Sequence, residues 1–231
     1  MTTPDFTIIR SLFRFGLPTG IQGIAMNVGG VLMLSFIGSL AQSAVAQAVF
    51  TVSYSELFSL ITWTSMGLMG AASAMAGQNL GAGNPERAVK AVHFAARIGV
   101  TAAAFIGLLF FFFPRQLLAI FGLHEPAVIE LGTQLLRVLS FSGLFISVAL
   151  TYTGALQGTG DTKSPLYISI VSQVIIPLGI CFTIRELGTL QPIHIWLSIL
   201  LGHATRCSLS VWRFNQQKWR GIAVDIAPAN G

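Results

Sequence analysis

After Arg14 the chain carries no charged residue until Glu56, and after Glu56 none until Glu86. Further uncharged runs follow Arg97, Arg137, Lys163 and Glu186. A hydrocarbon core about 30 Å thick takes roughly 20 apolar residues of helix, and these runs are of that length. Only helices or closed barrels satisfy their backbone groups in hydrocarbon. The runs are continuous and rich in Leu, Ala, Ile and Phe, without the alternation of a barrel strand, so the expectation is an all-α integral membrane protein.

Composition agrees. Charged residues make up 9% of the 231 and hydrophobic ones 53%. A soluble domain has about 25% charge, and charge this sparse cannot cover a soluble globule. The net charge of +5 reads as Lys and Arg in cytoplasmic loops rather than as a nucleic-acid footprint. Cys181 and Cys207 lie in apolar segments without metal-ligand spacing, so both read as small packing residues. Residues 1–18 do not resemble a cleaved signal peptide, since no small-residue cleavage site ends a short apolar core.

The expected architecture is one six-helix transmembrane lobe, with helices at about 16–39, 44–76, 86–113, 126–157, 166–184 and 193–214. Residues 115–121 read as a short interfacial segment. Asn84–Pro85 reads as an N-cap and first-turn pair, followed by a Glu86–Lys90 ion pair one turn apart. Arg10, Arg14, Arg87, Lys90, Lys163, Arg213, Lys218 and Arg220 collect on one side, against Arg115, Arg137 and Arg185 on the other. The positive-inside rule places the first side and both termini in the cytoplasm of a multi-pass plasma-membrane protein. Trp212 and Trp219, with basic neighbours, suit the headgroup layer.

Two loops carry family information. Residues 78–88 read QNLGAGNPERA and residues 156–165 read LQGTGDTKSP. They resemble the cytoplasmic loops after the second and fourth helices of a multidrug and toxin extrusion (MATE) lobe, where the patterns are roughly GQxxGAGxxxxA and LRGxGDTxxP. Gln78, Gly81, Gly83, Gly158, Gly160 and Asp161 carry the match. Gly16-Leu17-Pro18 resembles the opening of the second, C-terminal lobe. Gly-rich turns also allow tight reversal without any family meaning. Gly158–Gly160 does not read as a phosphate cradle, lacking a preceding strand and a following Lys-Ser/Thr pair.

The resemblance implies export of organic, often cationic, compounds in exchange for Na+ or H+. It also implies two six-helix lobes across a central cleft, of which this chain supplies one. The expected partners are therefore an organic cation, the lipid bilayer and a second six-helix lobe, as a separate chain or a second copy, with no nucleic acid and no cofactor beyond the coupling ion. An even helix number lets two copies stand parallel about the membrane normal. The chain is then either a fragment of a longer exporter or a half-size subunit. In one branch of the family, acids on the first and fourth helices of lobe two bind the coupling cation. Here the first helix offers Gln22 and Asn27, and the fourth has no carboxylate from Val138 onward.

Glu56 is the carboxylate placed well inside an expected helix, about 18 Å of rise from its start. It reads either as a proton-exchanging group facing a cavity or as a protonated Glu bonded between helices. Gln22 and Asn27 read as cleft residues or as interhelical hydrogen-bond partners. Tyr152, Thr153 and Gln173 offer an aromatic face and polar edges to a cation, or packing. His203 and Arg206 lie one turn apart, as a polar relay or as a packed His beside an Arg that snorkels. Asp161 reads as a cap of its loop or of the fifth helix. Arg87, Lys90 and Arg97 read as a basic stripe on the third helix that meets lipid headgroups. A lipid-linked sugar flippase would want several Arg or Lys in the cleft, which this sequence lacks. A non-transporting remnant is the other alternative. No HExxH, GxSxG or paired acids at catalytic spacing point to an enzyme.

Overall fold

The computed structural model describes residues 6–222. Residues 1–5, part of the signal-peptide reading, lie outside them.

The first helix, α1 (Phe6–Gly38), begins ten residues before the expected start at Gly16 and runs through Pro18. A short turn leads to α2 (Ser43–Phe50), which passes through a π-helical segment (Thr51–Leu57) into α3 (Ser59–Gly81). Then come α4 (Pro85–Phe112), the short α5 (Pro114–Ile120) and α6 (Pro126–Gly158). The next span is built from α7 (Lys163–Ile170), a second π segment (Val171–Ile175) and α8 (Ile176–Glu186). The last described elements are α9 (Pro192–Asn215) and the one-turn α10 (Trp219–Ile222).

Among the described residues, five helical stretches are long and apolar enough to cross a membrane: Leu12–Gly38, Ser43–Gly81, Pro85–Phe112, Pro126–Gly158 and Lys163–Glu186. The sixth long helix, α9, is more polar because it carries His194, His203, Arg206 and Arg213. It packs against α6 all the same and buries Trp196, His203 and Arg206.

The bundle is organised around α6, which packs against α3, α4 and α9. Of its most apolar window, 67% is buried, against 22% for α1 and for the α7–α8 span. Small residues allow this. A Cβ on Gly154 would fall on the carbonyl oxygen of Met69, and one on Gly158 on that of Ser73, so α3 and α6 touch backbone to backbone. Close approach through small residues four apart is how helices associate in lipid, where apolar burial gives no preference for protein over acyl chain. Around this seam, Leu135, Leu136, Leu139, Ile61 and Trp196 fill one core cluster. Ala72, Ala76, Tyr152, Leu156, Phe214 and Trp219 fill a second one toward the loop-motif end. The outer faces are apolar too: Trp63, Phe105, Phe112 and Ile120 stand out of the bundle.

Both loop motifs fold into the same device. After α3, the Gly83 N–H donates to the Leu80 carbonyl at 3.0 Å and the Asn84 N–H to that of Asn79 at 2.8 Å. After α6, the Gly160 N–H donates to Gln157 at 3.0 Å and the Asp161 N–H to Leu156 at 2.9 Å. These are paired Schellman caps, whose turn residue adopts the left-handed conformation. Gly83 has φ 73° and Gly160 φ 89°, values a side chain resists.

Four local expectations are corrected. Asn84 sits at the N-cap of α4, but its amide donates back to the Ala82 carbonyl at 3.1 Å and makes no cap bond. Glu86 pairs with Arg220 at 2.7 Å, not with Lys90, because α10 folds over the start of α4. Trp219 is fully buried and donates to the Phe214 carbonyl at 2.8 Å, so it packs inside the protein rather than in the headgroup layer. Arg206 is 4% exposed: its side chain does not snorkel out.

Candidate functional site

A lobe that lines a transport cleft must expose polar groups at a depth where lipid would reject them. Such groups occur on the span formed by α2, the first π segment and α3. Gln47, Thr51, Ser55 and Glu56 are exposed there, while Ser53, Leu57 and Phe58 point into the bundle. Glu56 stands about 20 Å of rise from the start of α2, deep in the membrane-spanning part of the rod. Among the described residues no cation lies within 4.0 Å of its carboxylate.

The backbone beneath Glu56 is irregular. In a π turn the N–H reaches back five residues, as Phe58 does to the Ser53 carbonyl at 3.0 Å. That leaves carbonyls without their usual α-helical partners. One is taken up locally, since Ser59 donates its hydroxyl to the Glu56 carbonyl. The second π segment has a plain cause. Pro177 lacks the N–H that would close an α-turn onto Gln173, so the chain widens over Val171–Ile175. Short π segments inside α-helices recur at functional sites. Here one carries Glu56 and the other Gln173.

On the inner side of the first π segment lies a run of aromatic rings. Phe50 stacks on Tyr54 with centroids 4.8 Å apart, Tyr54 on Phe58 at 5.4 Å, and Phe58 on the His203 imidazole at 5.7 Å. His203 and Arg206 are both enclosed, and neither His203 Nδ1 nor Arg206 Nε has a hydrogen-bond partner among the described residues. Sequence reasoning placed these two as neighbours one turn apart. It could not show that α9 brings them against the α2–α3 rod, because that pairing spans about 150 residues of chain.

The nominated pathway residues separate into groups. Gln22 is buried and donates to the Ser169 hydroxyl at 2.6 Å, while accepting from the Gln157 amide at 3.1 Å. It thus ties α1 to α6 and α7, the interhelical role. Asn27 is exposed on α1 and donates to its own Gly23 carbonyl at 2.9 Å. Gln173 is half-buried near Gly202 of α9, with its amide 3.3 Å from where a Cβ there would stand. Tyr152 lies elsewhere. It packs against His93 and Phe214 at 6.0 and 5.3 Å and lines a cavity of about 510 Å³ between α4, α6 and α9, with Arg97 and Thr101. Thr153 is buried, and its hydroxyl has no partner among the described residues.

Asp161 has the capping role and one more. Its Oδ1 accepts from the Ser164 N–H at 3.1 Å, and its Oδ2 accepts from the Ser164 hydroxyl at 2.8 Å. Arg213 then grips Oδ2 from α9, with Nε at 2.9 Å and Nη2 at 2.7 Å. The sequence signal for this pair was present only as two charges on the same expected side. Gln78 and Gly81 of the other motif are exposed around the α3–α4 turn. No group of three or more His, Cys, Asp or Glu among the described residues could hold a metal.

A family model described as MatE matches residues 18–183. A probable multidrug resistance protein NorM of Thermotoga maritima is 25% identical over 224 residues, covering 97% of this chain and 47% of that protein. A probable multidrug resistance protein YoeA of Bacillus subtilis is 33% identical over 175 residues, covering 73% of this chain and 36% of that protein. The fold matches that of the eukaryotic MATE transporter AtDTX14, with a TM-score of 0.81 and 21% identity, over 93% of this chain and 47% of that one. It also matches a MOP superfamily transporter from Pyrococcus furiosus, with a TM-score of 0.84 and 21% identity, over 94% and 49%. The matches cover between 36% and 49% of each relative's own length, about half for most of them. With the motifs, the helical membrane fold and the family match in agreement, the chain belongs to the MatE family and has the fold of one lobe of a MATE-type transporter.

Proposed function

We propose that the chain is the second lobe of a secondary active antiporter of the plasma membrane that exports organic, often cationic, compounds in exchange for Na+ or H+. A second six-helix lobe, on a separate chain or a second copy, completes the central cleft. Both termini lie in the cytoplasm, the side that gathers Arg87, Lys90, Lys163, Arg213 and Arg220.

The observation that carries this reading is Glu56 beside Thr51 and Ser55 on the outside of the lobe, at membrane depth. Ionisable groups within membrane spans face a bundle interior or a water-filled cavity, rarely lipid. A surface of this kind needs a protein partner with water between, which is what a two-lobed cleft provides. The cleft-facing carboxylate attracts a cation and releases it when a proton or Na+ takes its place.

Ethidium efflux from cells lacking other exporters tests the proposal. The chain is expressed alone and with a MATE first lobe, under imposed proton or Na+ gradients. Gradient-driven efflux in either arrangement supports it. Absence of efflux in both, with the protein verified in the membrane, overturns it.

A further inference from the structure

Two cavities adjoin along one face of α6, at the end of the lobe away from the loop motifs. The first, about 630 Å³, is lined by Arg115 of α5 and by Glu130, Thr133, Gln134 and Arg137 of α6. The second, about 330 Å³, is almost wholly apolar and lies between α4 and α6, lined by Gly107, Phe111, Phe112, Phe141 and Leu144. Arg137 joins them. It lines the first cavity while its Cζ lies 5.6 Å over the ring of Phe111, which meets Phe141 edge-on at 6.1 Å in the second. Residues 130, 134, 137, 141 and 144 follow the helical repeat, so they form one stripe of α6 about 21 Å long. It is charged at one end and apolar at the other.

The charged end has no ion-pair partner among the described residues. Arg115, Glu130 and Arg137 are exposed, and among the described residues no ion pair within 4.0 Å joins any of them. The Thr133 hydroxyl beside them is enclosed and makes no hydrogen bond among the described residues. The level is that of a membrane surface: α4 ends at Phe112 and α5 begins at Pro114. Two guanidiniums suit the oxygens of a phosphodiester, and a carboxylate across the same groove suits an ammonium. An acyl chain fits the Phe-lined groove that continues inward.

We propose that the α4–α5–α6 face binds one phosphatidylethanolamine molecule. Its phosphate sits between Arg115 and Arg137, its ammonium at Glu130, and one acyl chain along Phe111, Phe141 and Leu144. This site needs only the membrane-embedded lobe and stands whether or not the lobe exports.

Native mass spectrometry of the full chain, purified from membranes, reads the site directly. The protein is incubated with equal amounts of phosphatidylethanolamine, phosphatidylglycerol and phosphatidylcholine of matched chains. The expected result is one phosphatidylethanolamine retained about tenfold over the others, the ratio set by one charge-assisted contact. Arg115→Ala and Arg137→Ala each lower that retention by a similar factor. Glu130→Gln abolishes the preference over phosphatidylglycerol, and Leu144→Trp lowers retention without altering charge. Excess inorganic phosphate leaves the adduct in place, whereas displacement by phosphate identifies a free-anion site and overturns the proposal. Equal retention of the three lipids by the unaltered chain overturns it without any variant. So does unchanged retention in an Arg115→Ala/Arg137→Ala double variant.

Discussion

Arg213, near the end of α9, holds Asp161, in the turn between α6 and α7, through Nε at 2.9 Å and Nη2 at 2.7 Å onto a single carboxylate oxygen. The Asp161 side chain is 4% exposed and that of Arg213 20%. The same carboxylate receives both the N–H and the hydroxyl of Ser164, so one acid closes a turn, starts a helix and anchors the last long helix. A second pair, Glu86 with Arg220 at 2.7 Å, ties α10 to the other motif loop. Both motif loops and the C-terminal turn thereby meet at one end of the lobe.

Asp161→Asn keeps the shape but leaves Arg213 without its counter-charge. Removing one member of a largely buried pair costs about 3 kcal/mol. We expect a clear fall in melting temperature in detergent, followed by Trp fluorescence. Asp161→Asn melting with the parent protein would show that the pair adds nothing.

Gly158→Ala and Gly154→Ala each place a methyl group on a carbonyl of α3, at Ser73 and Met69. A backbone oxygen cannot move aside without separating the two helices. Both variants are expected to lose monodisperse protein on size-exclusion chromatography. Gly70→Ala, where a Cβ meets nothing within 4 Å, is expected to behave like the parent.

Glu56→Gln removes the exposed carboxylate of the first π segment. Substrate efflux by the assembled transporter is expected to fall at least tenfold, with folding and membrane insertion intact. The control is Glu186→Gln, an exposed residue beside Arg185 at the far end of α8. Equal efflux from both variants removes Glu56 from the pathway.

Gln22→Leu breaks two hydrogen bonds at once and strands the Ser169 hydroxyl and the Gln157 amide. Each buried group left unpaired costs about 1–3 kcal/mol. The midpoint of thermal unfolding is expected to fall clearly, the buried Ser169 hydroxyl contributing most. Asn27→Leu, which removes a local bond on an exposed face, moves it far less.

The sequence by itself determined the class and the helices. Charge-free runs of membrane length permit little else, because a buried charge and an unpaired backbone group are both too costly in hydrocarbon. Helix ends were legible where glycine marks them, since Gly83 and Gly160 hold a conformation that side chains resist. The start of α1 was missed because Pro18 looks like a helix opening, yet the chain there is helical from Phe6 onward. What only the tertiary structure decided is which residues meet. Helices apolar on every side carry little record of their neighbours, so nothing local linked Asp161 to Arg213, Glu86 to Arg220, or Gln22 to Ser169. The burial of Arg206 and Trp219 and the outward position of Glu56 follow from how α9 and the α2–α3 rod pack around α6. That choice is made by contacts between residues far apart in the chain, and hydropathy along the chain does not record it.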